Sequence, residues 1–408
     1  MKKMTLSTKI LIGLILGIIV GLFFQSNLAF TKAWIAPFGT LFLNLIKMII
    51  VPLVFASLVV GAASTGDVRK LGRMGAKTLA YYLITTAMAV TLGLILGNLI
   101  DPGIGLTIPP DAKYAAGKNV PISQVLLDLV PANPLKAMVD ANMLQIIVFA
   151  IFVGIGITLL GEKGKPVYNF FDSFAEVTYK ITGVIMEYAP IGVFALMVPV
   201  VAANGPKVLI PMAKVIIAVY LGCALHGGIV YSLAVKYLGN FGPLRFWKGF
   251  LPAMVVAFTT CSSSATLPVS MKAAQENLGV SKEVSSFVQP LGATINMDGT
   301  ALYQGICALF VAQIFAVDLT LGQQITIIFT ATLASIGTAG VPGAGLIMLT
   351  LVLQSVGLPL EAIALIAGID RVLDMARTTI NVTGDASAAV IIEYSESKYA
   401  AKATGISA

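Results

Sequence analysis

"TTCSSSATLP", residues 259–268, interrupts an apolar run within residues 244–276, and the charges around it decide the fold. Lys248 lies before the interruption; Lys272 and Lys282 lie after it. Lys and Arg collect on the cytoplasmic side of membrane proteins. Both ends of this segment therefore face the cytoplasm, and a polar middle between two same-side ends makes a re-entrant hairpin, not a span. A second such segment, residues 322–356, has apolar arms around "SIGTAGVPGAG", residues 335–345. Its flanks, "DLTLGQQ" and "SVGLPLE", carry no Lys or Arg, so it enters from outside. A span follows each hairpin, at 284–317 and 360–394. Hairpin and span, repeated in opposite orientations, form an inverted repeat, the architecture in which secondary transporters hold a site near the membrane midplane. The Gly, Ser and Thr residues of the tips let the backbone bend and approach a ligand. Such irregular backbone is tolerated at membrane depth only inside protein or beside a wet cavity.

Composition agrees. Of 408 residues, 57% are hydrophobic and 11% charged, and the mean hydropathy is +0.92; soluble domains carry about 25% charged residues. Lipid forbids unpaired backbone groups, which leaves helices or a closed barrel. The apolar runs are long and do not alternate, so helices are expected. The net charge of +7 does not point to nucleic acid, because Lys and Arg fall in short clusters between apolar runs. Cys223, Cys261 and Cys307 lack metal-ligand spacing, and one histidine, His226, cannot build a zinc or iron centre. His226 is read as structural.

Working outward, spans are expected at 9–25, 37–63, 77–99, within 123–160 after short pieces broken by Pro131 and Pro134, and at 172–202 and 208–237. The first is read as a membrane helix and not a cleaved signal, because Gly13, Gly17 and Gly21 form a stripe suited to close helix packing. Arg69, Lys70, Arg73 and Lys77 place the second connection in the cytoplasm, with both termini on that side. The expectation is an all-α polytopic membrane protein of eight transmembrane helices plus two oppositely oriented re-entrant hairpins.

The last span carries "DRVLDMARTTINVTGD", residues 370–385. At 100° per residue, Asp370, Asp374, Arg377, Asn381 and Asp385 fall within a sector of about 80°. Charges at the bilayer centre are costly and line a pathway or pair with one another. One reading has Arg377 simply pairing with Asp370 or Asp374. The other notes three Asp against one Arg, a surplus that invites a metal cation or a ligand ammonium. "QPLGATINMDGTALYQG", residues 289–305, gathers poor helix formers around Asn296 and Asp298. It is either a packing kink or an unwound turn offering carbonyl oxygens to a hard cation, with Na⁺ favoured over a transition metal. Tyr82, Thr85 and Thr86 share a helix face; alone, Thr hydroxyls often bond back to their own helix. No nucleophile–base pair suggests an enzyme, and no continuous polar stripe suggests a channel.

The motifs "SSSATLP" 262–268, "NMDGT" 296–300, "GTAGVPGAG" 337–345 and "DMARTTINVTGD" 374–385 resemble those of the dicarboxylate/amino acid:cation symporter family, as do "VPANPLKAMVDANMLQIIVFAI" and "APIGVFAL". The resemblance runs nearly the whole chain. It implies an elevator-type, Na⁺-coupled importer of glutamate or aspartate, a homotrimer among lipids of a prokaryotic plasma membrane. Scaffold parts would be 1–75 and 123–204; transport parts would be 76–122 and 205–408, with the second hairpin as outer gate. By the same resemblance, Arg377 would take the substrate's side-chain carboxylate and Asp374 its ammonium. Asn381 and the tips around Ser263 and Val341 would take the α-carboxylate, with Thr300, Thr378 and Gly345 nearby. One Na⁺ would use Asp385 with carbonyls of Gly292, Asn296 and Asn381. A second would use carbonyls of Thr294, Ser335, Ile336 and Thr338, near the Met297 sulfur. A third would use Tyr82, Thr85, Thr86, Asn296 and Asp298. Neutral-substrate members resemble this pattern without the basic residue at 377, and C4-dicarboxylate members differ around 374. A further Arg usual in the family is absent here, its positions being Cys261 and Met375. Arg371 either replaces it or faces elsewhere. A proton-coupled symporter of the same fold is the alternative.

Overall fold

A computed structural model of the chain describes residues 6–63, 70–106, 130–140, 142–336, 338 and 343–403. Among these, all regular structure is helical. The long helices are α1 (Leu6–Phe23), α2 (Ala36–Ala63), α3 (Lys70–Ile100), α4 (Met143–Leu160), α5 (Lys165–Asn204) and α6 (Leu209–Leu225), then α7 (Pro243–Thr260), α8 (Ser263–Leu278), α9 (Lys282–Ile295), α10 (Asp298–Ile314), α11 (Leu321–Ser335), α12 (Ala344–Ser355) and α13 (Ile363–Ala403). The chain is a multi-pass membrane protein.

Local chemistry sets the boundaries. Pro stands at the start of α7, where its missing N–H costs nothing. Cys261 adopts left-handed backbone (φ 53°, ψ 38°) and reverses the chain. Ser262 then caps α8, its side chain accepting from Ala265 N at 3.2 Å. These two residues make the whole turn of the first hairpin, α7–α8. Thr320 and Gln323 form a capping box at α11, which opens the second hairpin, α11–α12.

Several boundaries differ from expectation. α3 starts at Lys70, several residues before 77, so part of the basic stretch is itself helical. The span expected at 284–317 is two helices, α9 and α10, separated by Asn296 and Met297, as the poor helix formers there suggested. α13 runs on past 394 to Ala403. At "GEKGKP" a single 3-10 turn, Gly161–Gly164, joins α4 to α5. Among the described residues, Arg73–Ile100 and Gly205–Tyr237 are apolar helical stretches of crossing length, and Val148–Ile185 with Glu187–Ala203 forms a pair bent by 49°. The other expected spans are shorter, broken, or carry polar residues at mid-length.

α1, α2, α4 and α5 pack on one another, while α3 packs on α6, α10 and α11, and α13 runs along α6, α7, α9 and α10. The glycine stripe of α1 is used as expected: a methyl at Gly13, Gly17 or Gly21 would collide with Pro190, Met197 or Val201 of α5. Among the described residues, the turn of the first hairpin, the start of α12 and the α9–α10 break meet the middle of α13 in a polar zone.

Candidate functional site

The break between α9 and α10 is stitched to α13. Asn296, in extended backbone (φ −89°, ψ 94°), donates through Nδ2 to the Asn381 carbonyl at 2.9 Å and to Asp385 Oδ1 at 3.0 Å. Asn381 Oδ1 accepts from Gly299 N at 2.8 Å, and its Nδ2 donates to Thr300 Oγ1 and Met297 Sδ, each at 3.2 Å. Gly292 is required here, since a methyl would strike Asp385 and the Tyr82 hydroxyl.

Ser263, Thr300, Gly345, Asp374, Thr378 and Asn381 line one cavity, together with Cys261, Met297, Thr338 and Ala344. Its volume is about 10 Å³, room for a water-sized probe, so an amino acid enters only when a wall moves. Val341 lies outside the described residues. Thr378 Oγ1 donates to Asp374 Oδ1 at 3.0 Å.

Arg377 is fully buried. Its Nη2 lies 2.9 Å from Asp370 Oδ1 and 3.2 Å from Asp374 Oδ1. These are ion-pair separations, but the N–H directions miss the oxygens. Nε, Nη1 and Nη2 have no hydrogen-bond acceptor among the described residues. The guanidinium stacks over the Tyr303 ring at 4.1 Å, a favourable cation–π distance. On its other side is Gly345, where a methyl would come within 2.7 Å of Nη1. The pairing with Asp370 and Asp374 is present, along α13 itself, and the donor fork remains unused. Gly345 makes room for the guanidinium itself.

Arg371 reaches the first hairpin. Its Nη2 donates to the Thr260 carbonyl at 3.1 Å, one residue before Cys261. Its partner there is a backbone carbonyl and not a carboxylate.

The three cation sets fare differently. Asp385 faces Asn296, Asn381 and Gly292, and Asn296 Oδ1 is buried with no partner among the described residues. An orphaned oxygen beside a buried carboxylate suits a hard cation. In the Tyr82 set, Thr86 Oγ1 donates to Asp298 Oδ1 at 2.6 Å. Thr85 instead bonds back to the Tyr82 carbonyl at 3.2 Å, and the Tyr82 hydroxyl donates to the Val288 carbonyl at 3.1 Å. In the remaining set Met297 and Thr338 share the cavity. Thr294 is exposed, with its hydroxyl donating to the Leu291 carbonyl at 3.0 Å; the set itself calls on its backbone carbonyl. The Ser335 and Thr338 hydroxyls bond back within their own segment. No group of three or more His, Cys, Asp or Glu side chains suited to a metal occurs among the described residues.

Sequence reasoning missed Tyr303, which stacks on Arg377, and Tyr231 and His226, which both touch Asp298. A lone aromatic or imidazole in an apolar run has no periodic signal. Only the general cost of burying a polar side chain in lipid marked them.

The sequence profile described as the sodium:dicarboxylate symporter family matches residues 6–395. The chain is 40% identical to the proton/sodium-glutamate symport protein of Geobacillus stearothermophilus, over 98% of this chain and 96% of that one. It is 37% identical to the proton/glutamate-aspartate symporter of Escherichia coli (strain K12), over 97% and 94%. It is 34% identical to the C4-dicarboxylate transport protein of Bacillus subtilis (strain 168), over 96% and 94%. A broken helix bound to a charged stripe, two helical hairpins meeting it, and a match along almost the entire chain lead to one conclusion: the chain belongs to the sodium:dicarboxylate symporter family.

Proposed function

We propose that the chain imports acidic amino acids, L-glutamate or L-aspartate, coupled to Na⁺ by alternating access. The observation that carries this reading is the Arg377 guanidinium, buried yet without a hydrogen-bond acceptor among the described residues. Its planar fork matches a carboxylate in bidentate geometry. One turn away, Asp374 is suited to an ammonium. Together they select a ligand with an amine and an acidic side chain. Asn381, Ser263, Thr300, Thr378 and Gly345, with Val341, complete the substrate set.

Na⁺ coupling is supported by Asp298 and Asp385, which have no Lys or Arg partner among the described residues, and by the orphaned Asn296 Oδ1. Cations would bind at Asp385 with Gly292, Asn296 and Asn381, at Asp298 with Tyr82, Thr85, Thr86 and Asn296, and at Ser335, Ile336 and Thr338 with Thr294 and Met297. The packing groups α1, α2, α4 and α5 apart from α3 and α6–α13. This supports a scaffold (1–75, 123–204) and a transport body (76–122, 205–408) in an elevator cycle, within a homotrimer of eight-span protomers in a prokaryotic plasma membrane, termini cytoplasmic. Proton coupling is the second reading, favoured by two buried carboxylates and by relatives whose names carry "proton".

Uptake of labelled L-aspartate and L-glutamate into proteoliposomes tests both. Uptake driven by an inward Na⁺ gradient, and absent with an inward proton gradient without Na⁺, is the expected result. Proton-driven uptake without Na⁺ would overturn the sodium reading.

A further inference from the structure

α6 does not continue as a regular helix. After Leu225 the chain makes a π-helical turn, His226–Tyr231, before an α-helical segment resumes at Ser232. Such turns bond each residue to the fifth one on and recur at functional sites. In a regular α-helix, residues five apart point about 140° away from each other. Here the rings of His226 and Tyr231 meet edge to face, with centroids 4.8 Å apart. Both reach one oxygen. The Tyr231 hydroxyl donates to Asp298 Oδ2 at 2.8 Å, and His226 Nε2 lies 3.1 Å from the same atom.

His226, Tyr231, Asp298 and Thr86 are all fully buried. His226 Nδ1 has no partner among the described residues. The neutral ring with its proton on Nε2 fits this; an imidazolium would leave a buried N–H without an acceptor. Asp298 is therefore held by three neutral donors: Tyr231 and His226 on Oδ2, and Thr86 on Oδ1. Oδ2 is filled, while Oδ1 keeps accepting capacity beside Thr86.

We infer that His226 is a positioning residue for a monovalent-cation site at Asp298: with Tyr231 it fixes the carboxylate so that Oδ1, next to Thr86, is presented to the cation. The inference rests on the Na⁺-coupled reading above. Without the two donors on Oδ2 the carboxylate turns freely about its Cβ–Cγ bond, and its orientation must be imposed by the cation itself. Groups that orient a metal-binding side chain typically change metal affinity by ~10–100-fold when removed.

The test is thermal unfolding of the purified full-length protein titrated with NaCl, choline chloride holding ionic strength constant, followed by L-aspartate binding across the same range. His226→Leu should raise the Na⁺ concentration for half-maximal stabilisation by about tenfold or more. His226→Gln, which keeps an N–H at similar reach, should recover most of that loss. Tyr231→Phe, which removes only a hydroxyl, should shift the midpoint the same way. Excess Na⁺ should restore L-aspartate binding in each. Unchanged Na⁺ midpoints in His226→Leu and Tyr231→Phe would overturn the positioning role and leave the coupling reading standing. So would a Gln variant as impaired as the Leu variant. A parent protein that Na⁺ does not stabilise would overturn both. If His226→Leu fails to fold, Tyr231→Phe and His226→Gln still decide the matter.

Discussion

At the scale of single residues, the demand for a ligand comes from unmatched hydrogen-bonding groups. Arg377 has a buried fork with no acceptor among the described residues, and Asn296 has a buried oxygen with no donor. Leaving such groups unmatched costs roughly 1–3 kcal/mol each, more for charged ones, so binding that satisfies them is favoured. Arg377→Lys keeps the charge and loses the fork. It should weaken acidic-amino-acid binding by about 100-fold, the loss of one bidentate charge-assisted contact. Isothermal titration at saturating Na⁺ measures this, and near-parent affinity would show that the fork is not what holds the substrate. Gly345→Ala should weaken the same binding, because its methyl displaces the guanidinium it now faces. The stripe in "DRVLDMARTTINVTGD" was legible because helical spacing is regular. The π turn holding His226 was not, because one irregular turn leaves no period to read.

At the scale of elements, the first hairpin is held near its tip by the last helix. The hydrogen bond from Arg371 to the Thr260 carbonyl meets the C-terminal end of α7, where a positive charge is favoured by the helix dipole. Arg371→Ala should therefore lower substrate affinity several-fold and reduce stability by ~1 kcal/mol. Binding and denaturation of the variant check both, and unchanged values would mean the tether is incidental. The hairpins themselves were legible from charge asymmetry: Lys248, Lys272 and Lys282 flank the first, and no basic residue flanks the second. The α9–α10 break was legible from Gly292, Asn296, Asp298 and Gly299.

At the scale of the whole molecule, the C-terminal end of α13 ties separate parts together. Arg73 and Lys77 of α3 both pair with Glu396, Lys77 Nζ also donates to Ser395 Oγ at 2.7 Å, and Arg73 lies over the Tyr399 ring at 3.6 Å. Glu393 accepts from Ser281 N and Oγ at 2.9 and 2.7 Å, at the start of α9. The hydrogen bond from Arg73 holds the Glu396 carboxyl below the usual carboxylate range. A depressed folded value means that this contribution is fully present above the ordinary Glu value, about 4.3. It is lost as pH falls through the lowered one. Thermal stability should thus drop on acidification below about pH 4, less steeply in Glu396→Gln and less at high salt. A variant with the parent's acid profile would show that the clamp does not contribute.

α13 has 41 residues, a rod of about 60 Å, roughly twice the hydrocarbon thickness of a bilayer. Its middle carries Asp374, Arg377 and Asp385, and its C-terminal end is anchored in the clamp around Glu396. No proline interrupts it. Whatever displacement the binding residues undergo is therefore copied, with little loss, outside the membrane. A spin label or fluorophore near Lys398, paired with one on the α1–α5 group, acts as a ruler for the buried site. It reads the site's travel without touching a residue that binds anything.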